Sequence, residues 1–251
     1  ILLLQMRAMI AQGKIGDIRM VELQYTHGFA ATDENDRKSE GQKWRVDPKI
    51  AGPSFVLGDL ATHTYYMSQL IMPQMKISKL LCDRQSFVGS RAPLEDNAYV
   101  MMHYENGAVG RMWTPAVNTG SMDGQRIRIV GSKASLEWWD SKPNELLYEV
   151  QGQPSQTLVR GMDYLDETVN AYERLAALHQ EGLSDAWANL YLNFAIAIDA
   201  KDRDDKETLN NLVYADIRAG VEGVRWVETC VQSAENGSVW VNFDAGVPVT
   251  S

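Results

Sequence analysis

The segment Met102-His103-Tyr104-Glu105-Asn106-Gly107-Ala108-Val109-Gly110-Arg111 decides the fold class of this chain of 251 residues. Asn106 and Gly107 both accept the positive φ of a type I′ turn, so the segment predicts a β-hairpin between two alternating strands. A turn this short joins antiparallel strands, whereas parallel strands need a long crossover connection. The segment therefore favours an antiparallel meander over the β-α-β alternation of a parallel sheet.

Apolar and polar residues alternate in further stretches on both sides of this hairpin, as they do in half-buried strands. Gly131-Ser132-Lys133 indicates a second turn. We predict that these stretches form one sheet, with strands at residues 18–25, 76–82, 97–104, 108–114, 125–131, 134–139, 145–150 and 238–243.

Apolar residues at helical spacing mark the remaining elements. Residues 1–12 predict a helix that ends at Gly13, and Pro53 predicts the first turn of a second helix, because a proline there loses no hydrogen bond. Three more helices are predicted at residues 163–179, 184–200 and 208–234. The predicted fold class is α+β, a predominantly antiparallel open sheet with helices packed on one face. Since no repeat and no linker rich in Gly, Pro or Ser divides the sequence, residues 1–251 are predicted to form one domain.

Charge and cysteine content narrow the class of partner. The chain has 24 Lys and Arg against 33 Asp and Glu, a formal net charge of −9, so no nucleic acid and no anionic membrane surface is expected. A small-molecule ligand is favoured instead. Two cysteines are too few for a disulfide framework, which favours a cytoplasmic location. The sequence opens in mid-helix without an initiator Met, so we expect a fragment of a longer protein.

Asp59 and His63 lie four residues apart inside the predicted Pro53 helix, and residues at this spacing share one helix face. A carboxylate in reach of an imidazole can hold the ring in one tautomer and raise its pKa, which makes the ring a proton acceptor for a substrate hydroxyl. The same spacing is typical of two metal ligands, and also of a helix-surface ion pair worth a few tenths of a kcal/mol. The residues alone leave these three interpretations open.

Several catalytic motifs are absent from the sequence. It contains no Gly-x-Gly-x-x-Gly, no phosphate-binding P-loop and no His-Glu-x-x-His, so nucleotide binding is not encoded in this chain. Four histidines and two unpaired cysteines offer little for a transition-metal site, and no metal is expected. The sequence also lacks a Gly-x-Ser-x-Gly elbow, which disfavours a hydrolase.

A colinear series of short motifs extends from Met9 to Tyr191. The motifs are Met9–Ile18, Trp44–Pro48, Gly58–His63, Glu95–Ala98, Tyr104–Ala108, Gly131–Trp138, Glu181–Gly182 and Ala186–Tyr191. In this order and spacing they resemble the C-terminal domain of the glucose-fructose oxidoreductase and inositol dehydrogenase family, written Gfo/Idh/MocA.

The resemblance implies an NAD(P)-dependent enzyme that oxidises or reduces a carbinol carbon of a sugar or polyol. The N-terminal Rossmann domain of the family, which carries most of the NAD or NADP site and the catalytic lysine, is expected to lie outside this chain. Carried over by motif, His63 is the implied proton acceptor, and Asp59 is its orienting partner or a substrate ligand. The implied substrate-binding residues are Tyr25, His27, Trp44, Arg45 and His179.

Other interpretations of the same residues stay open. Tyr25 and His27 also suit ordinary strand positions, Trp44 suits the core, and Arg45 suits a surface ion pair. At the level of function, the alternatives are a sugar-binding module without catalysis and a sheet-based oligomerisation module. Because an open meander leaves one face without helices, a homo-oligomer that buries this face is expected, and the resemblance likewise implies a dimer or tetramer.

Overall fold

The computed structural model describes residues 1–33, 44–120 and 124–244. The strands in these residues are β1 Ile18–Thr26, β2 Ile77–Gln85, β3 Asn97–Tyr104, β4 Val109–Pro115, β5 Gly124–Gly131, β6 Ala134–Trp139, β7 Glu145–Val150, β8 Gln156–Val159 and β9 Val241–Asn242. They form one sheet in the spatial order β8-β7-β6-β5-β1-β4-β3-β2-β9. Only the pairing of β1 with β4 is parallel among the described strands, so the predicted antiparallel character is confirmed.

The helices of the described residues are α1 Leu2–Ala11, α2 Pro48–Ala51, α3 Thr62–Ile71, α4 Glu167–Asn170, α5 Leu183–Asp202, α6 Lys206–Asn211 and α7 Ile217–Glu235. A π-helical segment, Leu57–Ala61, leads directly into α3. Strands and helices together confirm the predicted α+β class. In the described parts of the chain, none of these helices combines the length and the apolar character that a membrane crossing needs.

The predicted hairpin joins β3 to β4, with His103 opposite Val109. Its turn is not the predicted type I′, because Gly107 has a φ of +86° whereas Asn106 does not have a positive φ. The amide of Gly107 donates to the carbonyl of Tyr104 at 3.0 Å. This is the pattern of a longer hairpin loop, in which a type I turn is followed by a left-handed glycine. The prediction of the hairpin is confirmed, and the prediction of its turn type is wrong.

The meander is interrupted where β1 enters the sheet between β4 and β5. Leu23 of β1 lies opposite Met112 of the parallel strand β4 and opposite Ile127 of the antiparallel strand β5. The sequence pattern does not predict this parallel pair, since it depends on a crossover through α3 rather than on a turn. Val21 and Leu23 are almost completely buried, so β1 is a central strand.

Helices cover one face of the sheet and leave the other face open, as predicted. Helix α7 packs on β2, where the hydroxyl of Ser233 accepts a hydrogen bond from the amide of Cys82 at 2.8 Å. The alternation along β3 separates the faces: Val100 and Met102 are buried under the helices, whereas Tyr99 is 49% exposed. Among residues 1–33, 44–120 and 124–244, no helix covers the large side chains of this open face.

The prediction of a helix at residues 163–179 is wrong, because only the short helix α4 forms there. The buried guanidinium of Arg160 donates to the backbone carbonyls of Leu175 and Ala176 at 2.9 and 3.0 Å. The carbonyl of Ala176 also accepts from the amide of His179 at 3.2 Å, in a single turn that no helix continues. This segment is thus organised around a buried cation that its apolar pattern does not reveal.

Two further predicted elements differ from those observed. The helix predicted at 208–234 is split, because the carboxylate of Asp216 accepts from the amide of Ala219 at 3.0 Å and begins a new helix, α7. The strand predicted at 238–243 is reduced to β9, which has two residues. Residues 34–43 of the charged stretch before Trp44 lie outside the described residues.

Gly131 at the end of β5 marks a close backbone approach, and we expect Gly131→Ala to destabilise the fold. A Cβ atom there would lie 2.0 Å from the carbonyl oxygen of Ile15, which belongs to the backbone. We expect a loss of about 1–3 kcal/mol in the free energy of unfolding, as overpacking typically costs. Gly220→Ala is the control, because a Cβ in that helix meets nothing within 4 Å. In urea titrations the control should match or exceed the parent protein, and equal midpoints for both variants would contradict the expectation.

Candidate active site

Three ring side chains converge at the end of β1 and the start of α3. The ring centroids of Tyr25 and His63 lie 5.9 Å apart in an edge-on arrangement, at an interplanar angle of 84°. The rings of Tyr25 and His27 lie 5.5 Å apart. His63 is exposed, whereas Tyr25 and His27 are partly buried. The structure therefore brings together three of the predicted site residues from separate parts of the chain.

Asp59 contacts Arg45. The Nε of Arg45 donates to Oδ1 of Asp59 at 3.1 Å, and the two side chains are 32% and 27% exposed. Among the described residues, no hydrogen bond joins Asp59 to His63. The carboxylate of Asp59 thus holds the loop that contains Arg45 against the helix. The imidazole of His63 is not bound by this carboxylate and can contact a ligand.

Asp59 lies in the π-helical segment Leu57–Ala61 and His63 lies in α3, so the two residues do not share one regular α-helix. Four-residue spacing places side chains on one face only in a regular α-helix, and Asp59 lies inside the wider π turn. The hydroxyl of Thr62 donates back to the carbonyl of Gly58 at 2.8 Å, across this turn. Such π-bulges are frequent at functional sites. Apolar periodicity does not reveal a π turn, so the prediction of a regular helix missed it.

Glu95 determines where this helix begins. Its buried Oε1 accepts hydrogen bonds from the amides of Phe55 and Leu57 at 3.0 and 3.1 Å. The same oxygen accepts from the hydroxyl of Ser54 at 2.6 Å. Because a carboxylate satisfies the free amides at a helix N-terminus, the helix starts after Phe55 and not at Pro53, as the sequence predicted. Sequence reasoning named Glu95 only as part of a family motif and missed this role, since a partner about forty residues away leaves no local signal.

Backbone hydrogen bonds hold His27 in place beyond the end of β1. Its amide donates to the carbonyl of Pro115 at 2.9 Å, and its carbonyl accepts from the amide of Asn118 at 3.0 Å. Three residues further on, the carbonyl of Ala30 accepts from the guanidinium of Arg91 at 2.8 Å. Arg91 is itself bound to the carboxylate of Asp96 at 2.8 Å. The loop that carries His27 is thus anchored by a buried ion pair.

The polar atoms of the cluster are suited to binding hydroxyl groups. Burial raises the pKa of the Tyr25 phenol, a hydrogen bond with Gln125 lowers it in part, and the carboxylates of Asp140 and Asp59 raise it further. The phenol therefore stays protonated at neutral pH and can donate a hydrogen bond. Nδ1 of His27 is buried and has no hydrogen-bond partner among the described residues. A ligand hydroxyl would satisfy this atom.

The remaining predicted site residues differ in their surroundings. Trp44 is 46% exposed, so it is not a core residue, and the guanidinium of Arg45 lies 4.6 Å from the centre of its ring. His179 lies beside Arg160, which binds its carbonyl, and its Nδ1 is 3.3 Å from the carbonyl of Ala177. No contact within the described residues joins His179 to Tyr25 or His63. In the same residues, no group of three or more His, Cys, Asp or Glu side chains could hold a metal ion.

Comparison with known proteins relates most of this chain to oxidoreductases. Residues 7–243 match the Gfo/Idh/MocA family, described as "Oxidoreductase family, C-terminal alpha/beta domain". The "Uncharacterized oxidoreductase YfiI" of Bacillus subtilis is 78% identical over 242 residues, which make up 96% of this chain and 62% of that protein.

Two solved structures from Azotobacter vinelandii share the fold and much of the sequence. An inositol dehydrogenase homolog complexed with NAD+ is 57% identical with a TM-score of 0.94, over 96% of this chain and 62% of that one. The homolog complexed with NADH and myo-inositol is 56% identical with a TM-score of 0.90, over 96% and 61%. The chain therefore spans less than two thirds of the length of each of these relatives.

Proposed function

Because this chain belongs to the Gfo/Idh/MocA oxidoreductase family, we propose that it is the substrate-binding and proton-transfer part of an NAD(P)-dependent dehydrogenase. The substrate class is a polyol or sugar, and the reaction interconverts a CH–OH group and a carbonyl. The observation that carries the proposal is the convergence of His63, Tyr25 and His27 on one partly open site.

In this proposal His63 removes the proton from a substrate hydroxyl. The ring is exposed, lies against the edge of Tyr25 and is not engaged by the nearby carboxylate, so its nitrogen is available. The same carbon loses a hydride, and a bound NAD(P) supplies the acceptor for it. Proton and hydride together leave a carbonyl group, which balances the reaction. A positioned general base contributes about 10²–10⁴-fold to such a rate.

The other residues bind and orient the polyol. The protonated phenol of Tyr25 donates to one hydroxyl, and the unpaired Nδ1 of His27 exchanges a hydrogen bond with another. Asp59 and Arg45, already joined at 3.1 Å, present a carboxylate and a guanidinium at the rim. His179 belongs to the proposed substrate-binding set as well, through the loop that Arg160 holds.

The cofactor is proposed to bind mainly to a preceding domain of the full-length protein. This chain has no glycine-rich motif for the phosphates of a dinucleotide, but its site residues fit the reacting end of one. The half-exposed ring of Trp44, with Arg45 beside it, would border the nicotinamide. Support comes from the two Azotobacter vinelandii relatives, whose structures contain NAD+ in one case and NADH with myo-inositol in the other.

We also propose that the open face of the sheet joins copies of the chain into a dimer or tetramer. The rings of Tyr99 and Trp113 stack on this face at 6.0 Å, and Met101 beside them is 51% exposed. Large apolar side chains gathered on one sheet face are typical of an oligomer interface. Such an interface is compatible with catalysis. Taken without the site residues, it would equally fit a non-catalytic oligomerisation module.

Polyol oxidation by the full-length protein tests the proposal. With NAD+ or NADP+ and a panel of polyols and sugars that includes myo-inositol, we expect reduced nicotinamide to form, measured by its absorbance. The 251-residue chain alone should give none, because in this proposal most of the cofactor site lies in the preceding domain. Polyol binding by the full-length protein without turnover with any cofactor would contradict the proposal and favour a non-catalytic sugar-binding module.

A further inference from the structure

Gln125 of β5 lies next to Tyr25 in the sheet, on the face that carries the candidate active site. The two residues are opposite each other in the antiparallel pair of β1 and β5. Opposite residues of such a pair point to the same face, with Cβ atoms about 4.5–5.5 Å apart. Helix α3, which carries His63, packs on both of these strands. Gln125 therefore borders the cluster of Tyr25, His27 and His63 from the side of β5.

The amide nitrogen of the Gln125 side chain binds Tyr25. Burial raises the pKa of the Tyr25 phenol most strongly, and the hydrogen bond with Gln125 lowers it in part. A hydrogen bond that lowers this pKa stabilises the phenolate, so the amide of Gln125 is the donor and the phenol oxygen is the acceptor. The phenol therefore keeps its own hydrogen for a ligand.

The amide oxygen of the same side chain has no partner in the described parts of the chain. Oε1 of Gln125 is buried and makes no hydrogen bond with any of these residues. An amide oxygen has two acceptor positions, and an unpaired acceptor away from water is unfavourable. Gln125 as a whole is only partly buried, and the terminal torsion of a glutamine is broad. A small rotation therefore presents this oxygen to a bound ligand.

The backbone around Gln125 is held on both sides. Strand β5 pairs with β1 on one side and with β6 on the other. Just after β6, the amide of Asp140 donates to the carbonyl of Gln125 at 3.0 Å. Gly124 makes room for the carboxylate of Asp140, since a Cβ atom at this glycine would lie 2.2 Å from Oδ1. Because side chains on paired strands are placed more precisely than side chains on loops, Gln125 is suited to selecting a ligand.

The two neighbouring polar groups differ in what they can bind. The phenol of Tyr25 has a hydrogen to donate, whereas the amide oxygen of Gln125 can only accept. A hydroxyl group both accepts and donates, so one ligand hydroxyl satisfies both groups. An ether or carbonyl oxygen in the same place would satisfy Tyr25 and leave Gln125 unpaired. The pair therefore selects a hydroxyl group over other oxygen groups.

We propose that Gln125 determines substrate specificity by accepting a hydrogen bond from a second hydroxyl of the substrate, on a different carbon from the one that is oxidised. This inference rests on the proposed function, since it takes His63 to bind the reacting hydroxyl. The ring of Tyr25 contacts His63 and its hydroxyl binds Gln125, so the two residues meet different parts of the substrate. The substrate class is therefore a polyol with free hydroxyl groups on at least two carbons, and simple alcohols are rejected.

Polyol binding by the full-length protein in the presence of NADH tests this inference separately from turnover, because NADH accepts no hydride. The probes are myo-inositol and its monodeoxy analogues, each of which lacks one hydroxyl. In titration calorimetry, we expect Gln125→Met to bind myo-inositol about tenfold more weakly than the parent protein does, as the loss of a buried hydrogen bond gives. The analogue that lacks the hydroxyl bound by Gln125 should bind equally to both proteins.

Two further variants serve as controls. Gln24→Met changes the same type of side chain on the opposite face of the sheet, where Gln24 lies opposite Arg126. It should bind every probe as the parent protein does. Gln125→Glu keeps an acceptor oxygen and should retain the preference for myo-inositol over that analogue. It is also the second test variant if Gln125→Met does not fold, and loss of the preference in Gln125→Glu then overturns the inference.

The outcomes separate this inference from the proposed function. Unchanged affinities in Gln125→Met overturn the inference, and so does equal weakening of myo-inositol and every analogue. If myo-inositol does not bind, the same titrations use the polyol of the panel that is oxidised, and binding of no polyol overturns the inference together with the proposed function. If the selective loss occurs although no polyol is oxidised with either cofactor, the proposed function fails and the role of Gln125 in binding stands.

Discussion

Replacing His63 with alanine in the full-length protein should lower the rate of polyol oxidation by about 10²–10⁴-fold, the contribution of a positioned general base. His63→Ala removes the proton acceptor but no residue of the proposed cofactor border. Cofactor binding should therefore stay intact. Steady-state rates with NAD+ or NADP+ measure the first effect, and fluorescence titration with the reduced cofactor measures the second.

His103→Ala is the matched control for this variant. Its ring lies on β3 and packs against Trp240 at 4.4 Å, away from the cluster around Tyr25. The control should keep nearly full activity. Full activity in His63→Ala would remove the proposed proton-transfer role, and equal losses in both variants would indicate a general effect on folding.

The sheet could be predicted from the sequence because its signals are local. Alternation of apolar and polar residues reveals each strand, and the short turn around Gly107 reveals the pairing of β3 with β4. The insertion of β1 beside β4 could not be predicted in this way. That pair joins residues about ninety positions apart, such as Leu23 and Met112, and no turn connects them.

The predictions of helix bounds were wrong where a buried charged side chain, rather than apolar periodicity, determines the local structure. The guanidinium of Arg160 binds backbone carbonyls in the segment 163–179, which was predicted as a helix. The carboxylate of Glu95 binds the backbone amides where the helix before α3 begins. Both side chains are charged, and charged residues are rarely buried without partners. Their partners are distant in sequence, so the local sequence around each residue predicts only an exposed charged side chain.

The candidate site was partly predictable, because the strands and the helix that carry its residues leave a local sequence pattern. Its residues lie at strand ends and in a helix start, and the structure brings His63, Tyr25 and His27 together. The hydrogen bond from Arg45 to Asp59 was not predicted, because Asp59 lies in a π turn that apolar periodicity does not reveal. The roles of these residues stay predictions until the variants are measured.

The largest loss of stability is expected from Arg91→Met. Arg91 and Asp96 form an ion pair at 2.8 Å in which both side chains are completely buried. Methionine keeps much of the volume but leaves the carboxylate of Asp96 without its cation, although the amides of Phe87 and Val88 still donate to it at 2.9 Å. Removing one partner of a buried pair costs about 3–5 kcal/mol. Urea unfolding of the parent and the variant measures this loss.

Arg111→Met is the control, because the Arg111–Glu22 pair has a similar distance of 3.1 Å but Arg111 is 70% exposed. Exposed pairs contribute about 0–1 kcal/mol, so its unfolding midpoint should scarcely change. The double variant Arg91→Met with Asp96→Asn should lose less than the sum of the single variants, because no unpaired charge stays buried. Additive losses would contradict this account. Since Arg91 also binds the carbonyl of Ala30, the loop that holds His27 should loosen together with the pair, and weaker polyol binding should accompany the lower stability.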